Sequence, residues 1–431
     1  MTPSMDTTWG DLQVAIVAAA AAPRYADDAA LLRSIDAPAD LTRLPCSTKA
    51  EFRADFRAFL TGRPAVRVHA TSGSTGTPAL VVYSAEEIES ITLRAVATMR
   101  LAGVTADDRI LNLFGYGTFI AGNLYDWGAT RLGALVIPFG SSSMTPPVFA
   151  AQAIRTLAPT VVNGVPSYLA RFLGELRASG QPGLEALRVV QCAGEVLTPA
   201  LRDRLAAVVG PRVEIYDQYG MTEFGPIAAG CRTGAGMHLL EDGLHVEVVD
   251  ERGDPVVLEE GRGEGELVVT SLRNRAMALL RYRTGDRVRL LPGRCACGHA
   301  GARIEVMRRA DDLTKIRGCL CSKQEIVEAV RLVDGVAQFR VLLHQDADGV
   351  DRVMVEVSPR SMDQADLLAP RVRAQVKELV RIGVDRVEVV DHLEVPRTVS
   401  GKPRLLVDAR HLEGPREGPC EEPGAVRRRA S

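Results

Sequence analysis

The sequence predicts an α/β fold: a large N-terminal layered α/β lobe that carries an antiparallel β subdomain, followed by a small C-terminal α+β domain. Three observations predict it. Between Val81 and Gly220 short apolar runs alternate with amphipathic segments, as buried strands layered with helices require. From His238 to Leu291 the texture changes to alternating residues (LHVEVVD, GELVVTS, DRVRLL) broken by Gly and Pro, the pattern of antiparallel strands. From Arg309 a third texture begins, with helical and extended patterns packed into about 100 residues.

The elements follow in order. Leu12 to Pro23 (LQVAIVAAAAAP) is preceded by Asp6 and Asp11, with no basic residue before Arg24. A secretory leader starts with positive charge and a membrane span needs ~20 apolar residues, so this segment is read as an N-terminal helix. Ala65–Ala70 is extended, and Ser84–Leu101 and Ser167–Ser179 have helical patterning. Leu111–Phe114, Ala134–Pro138, Val161–Asn163, Val189–Cys192 and Val213–Asp217 are short buried strands. In the last region Glu325–Leu332 and Ala365–Ile382 are helices, and Phe339–Leu343, Arg352–Glu356 and Arg386–Val390 are strands. The tail after Glu413 is rich in Pro, Gly and charge, and is expected to be disordered. The expected domains are 1–308, with the β subdomain at 230–308, then 309–412, then the tail 413–431.

Composition narrows the function. With 431 residues, 46% of them hydrophobic and 25% charged, the chain can bury a core that needs no disulfide staples. A formal net charge of -2 provides no global basic field for nucleic acid or an anionic membrane. The eight Cys are unevenly placed, and Cys295 and Cys297 are too close in sequence to pair readily. That usage fits a reduced, cytoplasmic enzyme and makes metal binding the first expectation for the pair. Of 52 basic residues only five are Lys, so Lys49, Lys315, Lys323, Lys377 and Lys402 form a small set to inspect.

Thr71-Ser72-Gly73-Ser74-Thr75-Gly76-Thr77-Pro78 is a glycine- and hydroxyl-rich loop after an extended segment. Its N–H groups and hydroxyls can surround a polyphosphate. It is not a Walker loop, since no Gly-Lys-Ser/Thr closes it, and a polar turn is the plainer reading of the loop alone. Further on come Tyr216-Asp-Gln-Tyr-Gly-Met-Thr-Glu223, Arg281-Tyr-Arg-Thr-Gly-Asp286, Arg309-Ala-Asp-Asp-Leu-Thr-Lys-Ile-Arg-Gly318 and Pro396-Arg-Thr-Val-Ser-Gly-Lys402.

This ordered set, from about Glu51 to Arg404, resembles the adenylate-forming superfamily of acyl-CoA synthetases, adenylation domains and luciferases. Gly115-Tyr-Gly117, Cys192-Ala-Gly-Glu195, Cys231 with Gly-Met-His238-Leu-Leu-Glu-Asp242, and Arg294-Cys-Ala-Cys-Gly298 resemble its phenylacetate–CoA ligase branch. The resemblance implies ATP-dependent activation of a carboxylic acid as an acyl-adenylate, with release of pyrophosphate. The acyl group then passes to the thiol of coenzyme A. Two anions must be aligned and neutralised for the first step.

On this resemblance Thr71, Ser72, Gly73, Ser74, Thr75 and Gly76 surround the β- and γ-phosphates. Glu223 binds Mg²⁺, an oxygen-seeking cation. Thr222 donates to the α-phosphate and Asp286 accepts from the ribose hydroxyls. Glu195, Asp217, Tyr219 and Arg309 belong to the nucleotide site. Lys402 crosses from the small, mobile domain to bridge the acyl carboxylate and the α-phosphate, a task for a point charge on a flexible stem. Asp311 is the hinge about which that domain turns between half-reactions; an N-cap pair, Asp311 and Asp312, is the alternative. Tyr116, Phe119, Trp127, Val165 and Ala193 are expected to line the acid pocket, which favours an aromatic or aryl-acetic acid. Core packing is the other use for those aromatics.

Cys231, His238, Cys295 and Cys297 make a three-thiolate, one-imidazole set that suits a closed structural zinc. His245 and His299 are alternative ligands; Cys319 and Cys321 are expected in a loop or strand, and Cys420 lies in the tail. Two departures stand out. Thr77 occupies the position where the family carries Lys, and Arg308 stands where it carries Gly. Three functions therefore remain open at this point: an acid–CoA ligase, an adenylating enzyme that serves a carrier-protein thiol or an amine, and a degenerate nucleotide-binding copy. A homodimer is common in the branch, and nucleic acid and membrane are not expected partners.

Overall fold

The computed structural model describes residues 9–71, 79–140, 147–180, 184–234, 236–256, 263–309, 313–317, 319–346, 349–396 and 403–410. The chain divides into two compact units; the larger runs to residue 312, and the smaller contains Leu313–Pro396 and the segment after 402.

The larger unit opens with α1 (Trp9–Ala19), α2 (Ala29–Arg33) and α3 (Lys49–Ala54). Thr48 and Glu51 form a capping box that starts α3. Leu12, Ile16, Tyr25, Leu32 and Leu41 make a separate apolar core against Leu272 and Leu280. The expected N-terminal helix forms, and its helical part ends at Ala19. Strands β1 (Arg67–Ala70) and β2 (Leu80–Tyr83) then pair antiparallel.

The main sheet alternates with helices, as the apolar runs demand. Strands β3 (Arg109–Asn112), β4 (Leu135–Pro138), β5 (Val161–Gly164), β6 (Val189–Cys192) and the start of β7 (Glu214–Met221) are parallel. Helices α4 (Ala85–Leu101), α5 (Ile120–Leu132), α6 (Pro147–Leu157), α7 (Pro166–Ala178) and α8 (Pro199–Val209) lie in this part of the chain. Because alternate residues face opposite sides of a strand, Leu111, Val162 and Val190 pack with α7 residues such as Leu169 and Leu173. Ile110, Val161 and Val189 pack on the other side with Met99, Tyr125 and Ala129.

The sheet continues into antiparallel strands β8 (Gly225–Gly230), β9 (Met237–Leu239), β10 (Leu244–Val249), β11 (Gly263–Ser271), β12 (Tyr282–Leu291) and β13 (Arg303–Arg309). Among the described residues the strand order is β4-β3-β5-β6-β7-β8-β9-β13-β12-β11-β10. Strand β7 outruns its expected end at Asp217 by four residues, because its second half turns from β6 to an antiparallel pairing with β8. Most of the Tyr216–Glu223 motif is therefore strand.

The smaller unit contains β14 (Leu313–Ile316), β15 (Cys319–Ser322), α9 (Lys323–Arg331), β16 (Val336–Gln345), β17 (Asp351–Pro359), α10 (Ala365–Val380), β18 (Arg386–Val389) and β19 (Leu406–Asp408). A Ser322–Glu325 capping box starts α9. The four-stranded sheet has the order β18-β17-β16-β19, and Val341, Val355 and Val357 pack on Leu368, Val372 and Val376 of α10. Strand β19 is too short to show a period in sequence. Among the described residues no helix is long and apolar enough to cross a membrane.

Candidate active site and metal centre

The glycine-rich loop connects the antiparallel pair β1 and β2. Thr71 closes its mouth: the Thr71 N–H donates to the Ala79 carbonyl at 2.9 Å, and the Ala79 N–H donates to Thr71 Oγ1 at 3.1 Å. Ser72, Gly73, Ser74, Thr75, Gly76 and Thr77 lie outside the described residues, as do Asp311 and Lys402. Arg309 is the last residue of β13.

The turn between β7 and β8 carries Thr222 and Glu223, and it is held from three directions. Tyr83 of β2 donates its hydroxyl to the Thr222 carbonyl. Tyr282 of β12 donates to Glu223 Oε1 at 3.1 Å. Arg94 of α4 donates to the carbonyls of Phe224 at 2.6 Å and Pro226 at 3.0 Å. Arg94 itself is buried against Glu87, 3.2 Å away, so the guanidinium enters the core with its counter-charge. Burial, with the charges of Glu223 and Glu87, pushes the Tyr83 hydroxyl well above its ordinary value, so it stays a donor. Gly225 makes the turn possible; its φ is +69° and a Cβ there would stand 2.9 Å from Ile91.

Tyr219 and Asp286 meet beside this turn, with the Tyr219 hydroxyl donating to Asp286 Oδ2 at 2.6 Å. Asp217 lies two residues before Tyr219 on β7, and burial raises its carboxyl to about 7. Glu195 accepts from the Ser167 N–H at 2.5 Å, which sets a carboxylate on the first turn of α7.

Tyr116, Phe119, Val165 and Ala193 gather around the carboxyl ends of the parallel strands. Phe119 is the residue before α5. Val165 and Ala193 pack on the cluster that contains Phe114 and Tyr125. Tyr116 receives a hydrogen bond from Asn112 Nδ2 at 3.0 Å and bonds with Asp126 of α5. Trp127 has different neighbours: Arg67 stands over its ring at 5.0 Å, and His69 lies 6.1 Å from it. It thus packs on β1.

Cys231, His238, Cys295 and Cys297 converge, with all four ligand atoms within 4.8 Å of one another. The sulfurs of Cys231 and Cys295 are 3.6 Å apart, and Cys297 Sγ is 3.3 Å from His238 Nε2. Tetrahedral zinc with Zn–S bonds of ~2.3 Å holds two sulfurs ~3.8 Å apart, so the spacing fits such an ion. The Thr233 hydroxyl lies 3.0 Å from Cys295 and 3.1 Å from Cys231. That hydrogen bond leads in pulling the Cys295 thiol down to about 6, and burial lowers the His238 imidazole to about 4. Both shifts favour the ligating forms. His299 packs edge-on to His238 at 4.9 Å, and His245 is on β10, outside the cluster.

The supporting residues Tyr83, Arg94 and Tyr282 escape a reading of the sequence. Tyr282 lies inside a quoted motif, and Arg94 shares the buried face of α4 with Glu87, Ile91 and Ala95. That misplaced charge is the signal available for it.

The AMP-binding enzyme family pattern matches residues 63–274. The chain is 32% identical over 390 residues to a phenylacetate–coenzyme A ligase of Aromatoleum evansii, covering 87% of this chain and 86% of that one. It is 31% identical to the phenylacetate–coenzyme A ligase of Thermus thermophilus, covering 86% and 87%. In fold it is similar to a 2-hydroxyisobutyryl-CoA ligase in a postadenylation state, with a TM-score of 0.75 at 21% identity over 93% of this chain and 88% of that one. With such coverage of both chains, this protein belongs to the phenylacetate–CoA ligase branch of the adenylate-forming enzymes and is an AMP-forming acid–thiol ligase.

Proposed function

We propose that the enzyme activates an aromatic or aryl-acetic acid and transfers it to coenzyme A. The acid's carboxylate attacks the α-phosphorus of ATP and pyrophosphate departs. The coenzyme A thiol then attacks the acyl carbon and AMP departs. The observation that carries this reading is the pair of hydrogen bonds between the same two segments, Tyr219 to Asp286 and Tyr282 to Glu223. They tie the strand of Asp286 to the turn of Glu223, which supports reading these two carboxylates as the ribose acceptor and the cation ligand.

In this reading Glu223 holds Mg²⁺, which neutralises phosphate charge when bound. Thr222 donates to the α-phosphate, and Thr71 with residues 72–76 takes the β- and γ-phosphates. Glu195, Asp217 and Arg309 complete the nucleotide site. Lys402 brings the two anions together. The small C-terminal domain expected over 309–412 turns, in this reading, at Asp311 to exchange Lys402 for the thiol's path. Cys231, His238, Cys295 and Cys297 bind a structural zinc, whose closed shell ties β9 to the loop before β13. Tyr116, Phe119, Val165 and Ala193 favour an aryl group. We place the reaction in the cytoplasm, where ATP and coenzyme A are at hand.

Acid-dependent exchange of labelled pyrophosphate into ATP, without thiol, tests the first half; its absence across aryl and alkyl acids leaves the degenerate reading raised by Thr77. Product analysis with coenzyme A, a loaded carrier protein and amines then tests the acceptor. A carrier thioester or an amide in place of acyl-CoA overturns the coenzyme A assignment.

A further inference from the structure

Among the described residues of the larger unit, four buried side-chain amide atoms lack a protein partner, and they share one face of the sheet. Asn163 is 0% exposed, and neither its Oδ1 nor its Nδ2 is hydrogen bonded. Gln191 donates Nε2 to the Thr98 carbonyl at 3.2 Å, which leaves its Oε1 unpartnered. Gln218 meets the Tyr125 hydroxyl at Oε1 and leaves Nε2 unpartnered.

Register places them together. Asn112 pairs with Asn163, Asn163 with Gln191, and Gln191 with Tyr216, so the four side chains form a row across β3, β5, β6 and β7. Gln218, two residues past Tyr216, points to the same side. The row faces α4 and α5: Gln191 reaches Thr98 of α4, and Asn112 Nδ2 reaches the Gly122 carbonyl of α5 at 2.9 Å. Asn112 is fully engaged, since it also donates to Tyr116 and accepts from the Phe114 N–H at 3.2 Å. The unpartnered atoms begin one strand further on.

Burying a polar group without a partner is costly, so native cores supply a protein group, a water or a ligand. The position favours a ligand. Asn163 and Gln191 lie at the carboxyl ends of parallel strands, where open α/β sheets bind ligands. Val165 and Ala193, the apolar pocket candidates, follow two residues after them.

We infer that Asn163, Gln191 and Gln218 form a polar floor to the acid pocket and select a carboxylic acid that carries a hydroxyl or carboxamide group at its far end. The inference rests on the acid-activation reading above and narrows its substrate class. A hydroxyl there donates to Gln191 Oε1 and accepts from an Asn163 or Gln218 N–H; a carboxamide does the same with two atoms. The row itself carries no charge to balance an ionised substituent.

A site built to hydrogen-bond a substrate hydroxyl rejects the analogue lacking it by far more than an apolar pocket discriminates size. Acid-dependent pyrophosphate exchange with the full-length enzyme tests this on matched acids: phenylacetate against its ring-hydroxylated and carboxamide forms, and benzoate against the same series. The expected result is one substituted acid favoured on the order of 10²-fold in kcat/KM over its parent. Asn163→Leu and Gln191→Leu should each cut that ratio by at least ~10-fold, mainly by lowering kcat/KM for the substituted acid. The inference is overturned if each parent matches every substituted acid, or if folded Leu variants keep the ratio, since the row then holds water alone. Wild-type ratios decide the matter if the variants do not fold. Exchange with no acid sinks the activation reading as well, whereas exchange confined to the plain acids sinks only the polar floor.

Discussion

Tyr219 donates its hydroxyl to Asp286 Oδ2 at 2.6 Å, although β8, β9 and β13 stand between their strands in the sheet order. Sheet twist and local bulges bring them together. The register of β7 with β8 shifts between Tyr219 and Gly220, and that of β12 with β13 shifts between Arg287 and Val288. Bulges bend a strand and increase its twist. Tyr282 and Glu223 make the second link between the same segments.

Tyr219→Phe keeps the ring and removes one bond to a carboxylate. Such bonds contribute about 1.5–3 kcal/mol when sheltered, and partial exposure places this one at the low end. A fall of roughly 10-fold or slightly more in kcat/KM for ATP is expected, carried mainly by KM, in exchange assays at varied ATP. An unaltered KM would remove Asp286 from ribose binding.

Tyr282→Phe frees Glu223 from its donor inside an otherwise unchanged core. The Mg²⁺ concentration for half-maximal exchange should rise by about 10-fold, and excess Mg²⁺ should restore much of the rate. A lower rate that Mg²⁺ cannot restore argues that Glu223 is not the ligand.

Lys402→Ala should slow adenylation on the order of 10²–10³-fold, as removal of a transition-state donor does. Thioester formation from preformed acyl-adenylate, measured separately, should suffer much less. Equal losses in both half-reactions would contradict a role confined to the first.

Protein purified without chelator should carry about one zinc per chain, read by atomic emission. Cys295→Ser should lose that metal and lower Tm by at least ~3 °C. Wild-type protein free of zinc and equally stable would leave the cluster as plain thiols.

Asp217 supplies a pH test. Its folded pKa of about 7 lies above the unfolded value of ~3.9, so the folded state binds the proton more tightly. Its contribution is complete below the lower value and is lost as pH rises through the upper one. Asp217→Asn cannot ionise, so relative to wild type it should gain roughly 2–3 kcal/mol between pH 5 and pH 8 in denaturant melts. Parallel pH profiles for the two proteins would refute the buried-carboxylate account.

The sequence alone determined the layered α/β pattern and the antiparallel region, because strand and helix periods are local properties of a dozen residues. It also singled out Glu223, Asp286 and the Cys and His residues as chemical types in short motifs. Tertiary structure alone decided what holds them. Tyr83 reaches Thr222 across 139 residues, and Arg94 reaches Phe224 across 130. It set Trp127 against β1 and Glu195 on α7. Asn163 and Gln191 are visible as amides in the apolar runs VVN and VVQC, yet only their packed neighbours reveal which atoms go unmet. The physical reason is that periodicity specifies which face a residue occupies. Which distant segment covers that face depends on strand order, twist and bulges, and those arise only when the whole sheet assembles.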